Sequence, residues 1–311
     1  MAGYCCGIYT CIVDLATGIF VEPIRVFLAS TTAEWLPTRV LEFSILESSE
    51  LPIALHRIET FGRAMPMPRE VRNRPRTPFS FQRFLIPELC GYRGRAIYLD
   101  ADMQLFADIG ELWNASMAGH DLLTVRQGTD GRKGQFSVVL LDCERLQWRI
   151  EDIVQGLDEG RYSYEQLMYE MCVARKVGRT LDPGWNSLEK YKPGRTRLLH
   201  YTDMDTQPWV SLNNPLRHHW VQCLCRAVSA GFLARDELAR EVAAGHVRPS
   251  LLAELNGVVA DVKTLRRLDK GFVAPYRAIR SGKARPWVSL RSMLAFYVRR
   301  GLQRFSRTGG R

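Results

Sequence analysis

No run of about 18 uncharged apolar residues occurs in the 311-residue chain, which excludes a membrane-spanning helix of ordinary length. The segment 1–20 is fairly apolar, but it lacks a basic start and is broken by Asp14, so no signal peptide is expected. The eight cysteines form neither a zinc pattern nor a disulfide framework, since Cys5-Cys6, Cys11 and Cys223-x-Cys225 have the wrong spacings for either. Reduced thiols in a cytoplasmic protein are the expectation. No internal repeat is present. Acidic residues are missing from 271–311, which holds ten Lys and Arg; with 43 basic and 33 acidic residues in all, residues 1–270 carry 33 of each and are neutral. The body is therefore no nucleic-acid footprint, and no nucleic-acid partner is expected; the tail suits an anionic surface.

What is there alternates between strand-like and helix-like stretches. Ile24–Ala29 reads as a strand, followed by the capping hydroxyls of Ser30, Thr31 and Thr32 and a helix from Trp35 to Leu46. Residues 53–58 read as a second strand, 62–78 as a Pro- and Arg-rich loop, and Pro78 as the start of a helix through Leu89. After the strand at 96–99 come a short helix (109–113), strands at 122–125 and 136–141, and helices at 143–157 and 163–172. Beyond 212 the pattern is helical only, at 214–230, 235–244, 249–256 and 258–268. The alternation predicts an α/β fold with a mostly parallel sheet flanked by helices. The domains expected are an N-terminal extension (1–23), an α/β domain (24–212), a helical appendage (213–270) and a basic amphipathic tail (271–311).

The stretch with the clearest chemistry is Ala96-Ile97-Tyr98-Leu99-Asp100-Ala101-Asp102-Met103. A short apolar strand ends on two carboxylates, and side chains at i and i+2 of an extended backbone point the same way. Two like charges so close are costly to bury without a cation, and a hard divalent metal prefers oxygen ligands. A polar turn closing a core strand is the simpler alternative.

The order of the motifs widens the reading. The chain resembles the GT-A glycosyltransferases, in particular retaining glycosyltransferase family 8, over roughly residues 24–212. The matching blocks are Phe27 to Trp35, Arg83 to Leu89, Tyr98 to Asp102, Asp108 to Trp113, Gln135 to Asp142, Trp185-Asn186, and His200-Tyr201 followed by Pro208-Trp209. The resemblance implies a GT-A (Rossmann-like) sheet, a UDP-sugar or other nucleotide-sugar donor, Mn²⁺ or Mg²⁺, and retention of anomeric configuration. It implies Asp100, Asp102 and His200 as metal ligands, a mixed oxygen and nitrogen set suited to Mn²⁺. It places Ala29, Ser30, Thr31, Leu99 and Ala101 beside the nucleoside, and Trp35 either on the base or in the core. Arg83 would grip a phosphate oxygen or hold an aspartate. Gln135, Glu165 and Gln166 fall where the family handles the transferred sugar, although its Asn-small-Gly block reads Gln135-Phe136-Ser137 here. Gln207 stands where a phosphate-gripping lysine is common.

Projected as a helix, Trp287, Leu290, Leu294, Tyr297, Val298, Leu302 and Phe305 share one side of the tail, with Arg299, Arg300, Arg304 and Arg307 largely opposite. This suits a helix lying on an anionic membrane, peripheral to the inner face of the cytoplasmic membrane, and a lipid, saccharide or protein acceptor. A terminal helix docked on the body is the competing reading. Two other functions stay open: a non-catalytic GT-A-fold binding protein, and a D-x-D phosphatase, whose motif normally continues with a threonine where Gln104 stands.

Overall fold

The structure, a computed structural model, describes residues 12–13, 20–77, 79–126, 136–255 and 261–275. Its centre is a six-stranded sheet. The strand β1 (Ile24–Ala29) leads to α1 (Trp35–Glu47), β2 (Ile53–Arg57), β3 (Arg95–Asp100), β4 (Met103–Leu105) and the short α2 (Ile109–Trp113). Then come β5 (Leu122–Val125), β6 (Val138–Asp142), α3 (Ile150–Asp158), β7 (Val177–Leu181) and β8 (Leu198–His200). The main sheet has the order β2-β1-β3-β6-β5-β7. Only β6 runs against the others, as its antiparallel pairing to both β3 and β5 shows. The α/β expectation with a mostly parallel sheet holds.

Strands β1 and β3 are apolar on both faces because both faces are covered. Phe27, Ala29 and Tyr98 join a core with Phe84, Trp148 and Leu167, while Val26, Leu28, Ile97 and Leu99 join one with Leu41, Leu112 and Leu198. Such strands read as continuous apolar runs, which is why they stand out in the sequence. The turn into β3 needs a glycine: Gly94 has φ +61°, and a Cβ there would fall 2.5 Å from Nη2 of the buried Arg25.

Two helices differ from expectation for identifiable reasons. The segment expected as one helix from Pro78, itself outside the described residues, instead forms a 3₁₀ turn (Gln82–Leu85) and one α-turn (Ile86–Leu89). Pro87 has no N–H to continue the ladder, so it sits in the first turn of the second piece. The helix expected from Cys143 begins only at Ile150. Asp142 Oδ1 accepts the amides of Glu144 and Arg145, 3.2 Å each, and this local turn displaces the helix. Residues 166–170 form a π-turn ended by Met171 at φ 57°.

A second, small sheet closes the α/β part of the chain. Strand β8 pairs antiparallel with β4 and parallel with Ser187–Leu188. Helices α4 (Arg217–Ser229), α5 (Arg235–Ala244), α6 (Ser250–Leu255) and α7 (Val262–Leu268) follow the expected pattern closely. They are not a loose addition: Trp220, Cys223, Leu224, Leu238 and Leu251 share one apolar core with Leu36 and Val40 of α1 and with Leu199, Tyr201 and Trp209. Among the described residues no helix is long and apolar enough to cross a membrane.

Trp220 is fully buried and its ring centroid lies 5.4 Å from that of Trp209. Trp220→Ala should cost about 3–5 kcal/mol, the usual range for emptying a large aromatic site. Urea denaturation followed by circular dichroism should show one cooperative transition at lower midpoint. A separate early transition, with the sheet's own unchanged, would mean that the helices do not share the core.

Candidate metal centre and donor site

Three groups converge where the two sheets meet. Asp100 ends β3, Asp102 follows in the bend before β4, and His200 ends β8 directly opposite Met103. One ligand atom from each lies within 4.8 Å of the others. The convergence differs from the extended i, i+2 geometry expected for the aspartates, because the strand stops at Asp100 and the bend at 101–102 turns Asp102 toward β8.

Each group is held by others. Asp100 is buried, and its Oδ1 accepts a 2.5 Å hydrogen bond from the Tyr98 hydroxyl, while Arg83 Nη2 stands 3.7 Å away. Burial pushes the Asp100 carboxyl up and Asp102 adds to this, against the downward pull of Arg83. Burial also pushes the Tyr98 hydroxyl well above its ordinary range, so it remains a donor. His200 is fixed through Nδ1, 2.9 Å from Asn186 Oδ1. With the ring proton on Nδ1, Nε2 presents its lone pair to the carboxylates. Burial pulls the imidazole down, but Asp102, with Asp100 and Glu189 behind it, outweighs burial and leaves the pKa raised.

The site has an orphan that fits a cation. Asp102 Oδ1 is buried without a hydrogen-bond partner. His200 Nε2 is 3.0 Å from it, an ion pair when the imidazole is protonated. Two ligands at right angles around a cation with bonds of about 2.1 Å would stand about 3 Å apart. The donor set therefore suits a divalent ion such as Mn²⁺ or Mg²⁺.

The other expected residues take varied places. Ala29 pairs with Asp100 across the sheet, and the main chain of Ser30 is clamped by the Gln82 carboxamide, at 3.2 and 3.1 Å. Leu99 and Ala101 are buried, Leu99 with its side chain in the core. Trp35 is half-buried against the core shared with the C-terminal helices, in line with the core reading. Arg83 is spent on the structure: Nη1 donates to the Phe136 carbonyl at 2.8 Å, Nε to the Ser80 carbonyl at 3.2 Å, and the guanidinium lies 4.6 Å from the Tyr98 ring centroid. It holds an aspartate, the second of the two roles expected for it. Glu165 pairs with Arg76 at 3.1 Å, and Gln166 Oε1 accepts the Ser163 amide at 2.8 Å. Gln135, the tail helix and Cys5, Cys6 and Cys11 lie outside the described residues. Phe136 adopts φ 50°, the left-handed region, where the resemblance expects Asn-small-Gly; Arg83 on its carbonyl and Arg179 over its ring, 4.9 Å away, hold it there.

Sequence reasoning passed over Tyr98, Gln82 and Glu34, and gave Asn186 no role. Glu34 is buried in the turn before α1, with Thr31 Oγ1 donating to it at 3.0 Å. Burial, with Asp102 and Asp100 nearby, raises its pKa to about 8. No spacing rule marks it, because the charges that crowd it come from the end of β3 and the bend after it, far along the chain.

Against this geometry the comparisons can be read. Residues 44–154 match the sequence model of glycosyl transferase family 8, a span containing Arg83, Asp100 and Asp102 but not Asn186, His200 or Gln207. The similarity to that family is therefore to a stretch of 111 of the 311 residues. Protein CDI of Arabidopsis thaliana is 34% identical over 139 residues, which are 39% of this chain and 54% of that protein. The chain thus spans about half the length of this curated relative. Among solved structures, the galactosyltransferase LgtC, in complex with donor and acceptor sugar analogues, is similar at 12% identity with a TM-score of 0.48, covering 68% of this chain and 96% of that one. The glycosyltransferase GlyE of Streptococcus pneumoniae TIGR4 is similar at 19% identity and a TM-score of 0.46, covering 65% and 60%. The bifunctional glycosyltransferase WbbM, at 12% identity and a TM-score of 0.45, covers 66% and 52%.

Glu34 makes a pH prediction. The folded chain keeps this proton up to about pH 8, whereas the unfolded chain releases it near the ordinary 4.5. Between these values the unfolded state binds fewer protons, so this residue makes stability fall as pH rises. In metal-free buffer, denaturation midpoints of Glu34→Gln should therefore fall less than wild type from pH 5 to pH 8. Parallel profiles would show that Glu34 is not buried as a neutral acid.

Proposed function

We propose that the chain is a divalent-metal-dependent, retaining glycosyltransferase that takes its sugar from a UDP-sugar. The observation carrying this is the meeting of Asp100, Asp102 and His200 with an orphaned carboxylate oxygen, in a chain whose match to the family 8 model spans both aspartates. Asp100, Asp102 and His200 would hold the ion, Mn²⁺ or Mg²⁺, which as a Lewis acid supplies neutralisation of the charge that develops on a departing nucleoside diphosphate. The chain's own groups preset that site. Tyr98 and Arg83 keep Asp100 in place, and Asn186 keeps Nε2 of His200 facing the carboxylates. Ser30 and Thr31 follow the carboxyl end of β1, the end of the strands at which open α/β sheets bind nucleosides. Gln135, Glu165 and Gln166 are the groups assigned to the sugar's hydroxyls.

The acceptor is a saccharide, lipid or protein, with a lipid favoured by the surface near the tail. The face formed by Val262, Lys263, Arg266, Arg267 and Lys270 is basic. Val262 of this face is exposed at 48%, and Leu268 and Val273, close in sequence, are exposed at 46% and 60%. In the sequence, 271–311 adds ten further Lys and Arg. Cations near an anionic bilayer contribute up to about 1 kcal/mol each at low salt, and apolar residues between them add insertion. The reading is a peripheral enzyme at the cytoplasmic face of a membrane.

Asp102→Ala should lower transfer and donor hydrolysis by roughly 100-fold or more, since the ion's stabilisation of the leaving group is worth several kcal/mol. Its metal-free melting temperature should stay near or slightly above wild type, because removing one of two like charges relieves repulsion. Hydrolysis of UDP-sugars with and without Mn²⁺ reads both; activity within twofold of wild type would make the aspartates structural.

Truncation after residue 284 should abolish co-sedimentation with anionic vesicles at low salt while sparing donor hydrolysis. Full-length protein that ignores such vesicles, or truncation that unfolds the body, would leave the tail as a docked helix and remove the argument for a lipid acceptor.

A further inference from the structure

Gln207 stands where the resemblance places a residue that grips the donor's diphosphate. Its surroundings assign it elsewhere. The side chain is buried, and its carboxamide nitrogen has two hydrogens. One goes to Asp102 Oδ2 at 3.1 Å and the other to the Tyr201 carbonyl at 2.9 Å. No donor is left for a phosphate, and the remaining amide oxygen repels one. The Tyr201 amide in turn donates to the Asp102 carbonyl at 2.9 Å, so the loop after β8 grips Asp102 by both main chain and side chain.

The loop itself is fixed from the C-terminal helices. Gln207's own amide donates to the Asp203 carbonyl, and its carbonyl accepts from Val210 and Ser211, all within 3.0 Å. The next residue's carbonyl, on Pro208, accepts from Nε of Arg248 at 2.8 Å, and the Arg248 amide donates to the Trp209 carbonyl at 2.8 Å. Arg248 is fully buried and its charge is met by Glu254 at 2.5 Å.

We infer that Gln207 is a positioning residue for the metal ligand: it engages Asp102 Oδ2 and thereby leaves Oδ1, the buried oxygen without a hydrogen bond, turned toward His200 Nε2 as the coordinating atom. This rests on the metal reading given under Proposed function. A neutral amide suits the task better than lysine would. It orients the carboxylate without lending it positive charge, so the full negative charge of Asp102 faces the ion. A lysine at this position would compete with the cation for the same carboxylate. Outer partners of this kind commonly change metal affinity by about 10–100-fold when removed.

The test is Mn²⁺ alone, titrated into full-length protein and followed by the electron paramagnetic resonance of the free ion, for wild type, Gln207→Met and Gln207→Lys. Circular dichroism and melting temperature check the fold. Methionine keeps the volume and removes both donors; lysine keeps donors for the two oxygens and adds charge, so it decides the matter if the methionine variant does not fold. Both variants should bind Mn²⁺ about tenfold or more weakly with no nucleotide present. UDP should then bind both variants as tightly as wild type once Mn²⁺ is saturating. Mn²⁺ affinities within twofold of wild type, with tighter UDP binding by the lysine variant, would overturn the inference and return the position to the phosphate. Wild type that binds no Mn²⁺ would instead overturn the metal reading itself, and this inference with it.

Discussion

Two carboxylates held side by side, one of them buried, are the constraint on which the rest of this site depends. Placing like charges within a few ångströms in a poorly polarisable surrounding is costly, and the cost is not met by one strong ion pair. Asp100 has a tyrosine hydroxyl at 2.5 Å and an arginine at 3.7 Å, while Asp102 has an amide and an imidazole. The nearest cationic group to Asp100 is itself tied to two backbone carbonyls. The compensation in the protein alone is thus partial, and the field it leaves is visible in Glu34, whose acid is held neutral up to about pH 8 by burial and by these aspartates. On the proposed reading, a divalent ion would complete what the protein alone leaves uncompensated.

The fold supplies the three ligands from two sheets, which explains the order of its parts. β3 delivers Asp100 from the centre of the main sheet, where strands buried on both faces cannot shift register without moving side chains into the wrong core. β8 delivers His200 from the small sheet, paired residue for residue with β4 just beyond Asp102. The C-terminal helices then close around the loop that follows His200, packing Trp220 against Trp209 and placing Arg248 on the Pro208 carbonyl. Removed from α1 and this loop, they would expose the apolar face they now cover.

Much of this was legible in the residues. The apolar runs of β1 and β3, the periodic helices after 212 and the ordered motifs each carry a local signal, and the aspartate pair with its distant histidine was found from them. What escaped has a physical pattern. β4 and β8 are three residues long, too short for alternation to show, and β7 reads Val-Gly-Arg-Thr-Leu with apolar residues only at its ends; all exist because partners elsewhere supply their hydrogen bonds. The late start of α3 depends on a side-chain turn at Asp142, and the broken helix at 82–89 on the missing N–H of Pro87. Glu34 acquires its character from burial and from the carboxylates at the end of β3 and in the bend after it. Gln207 looked like a weakened phosphate ligand because its type was compared with lysine; its two hydrogen bonds become visible only when the loop is folded over Asp102.

The central claim is that one ion is bound by two carboxylates and one imidazole. Pulsed electron paramagnetic resonance of Mn²⁺ bound to the full-length chain reads this directly, because a coordinated imidazole couples its nitrogen to the metal spin. The account predicts coupling to a single histidine nitrogen in wild type, lost in His200→Ala while the other five histidines remain. Bound Mn²⁺ without nitrogen coupling, or coupling that survives loss of His200, would contradict it.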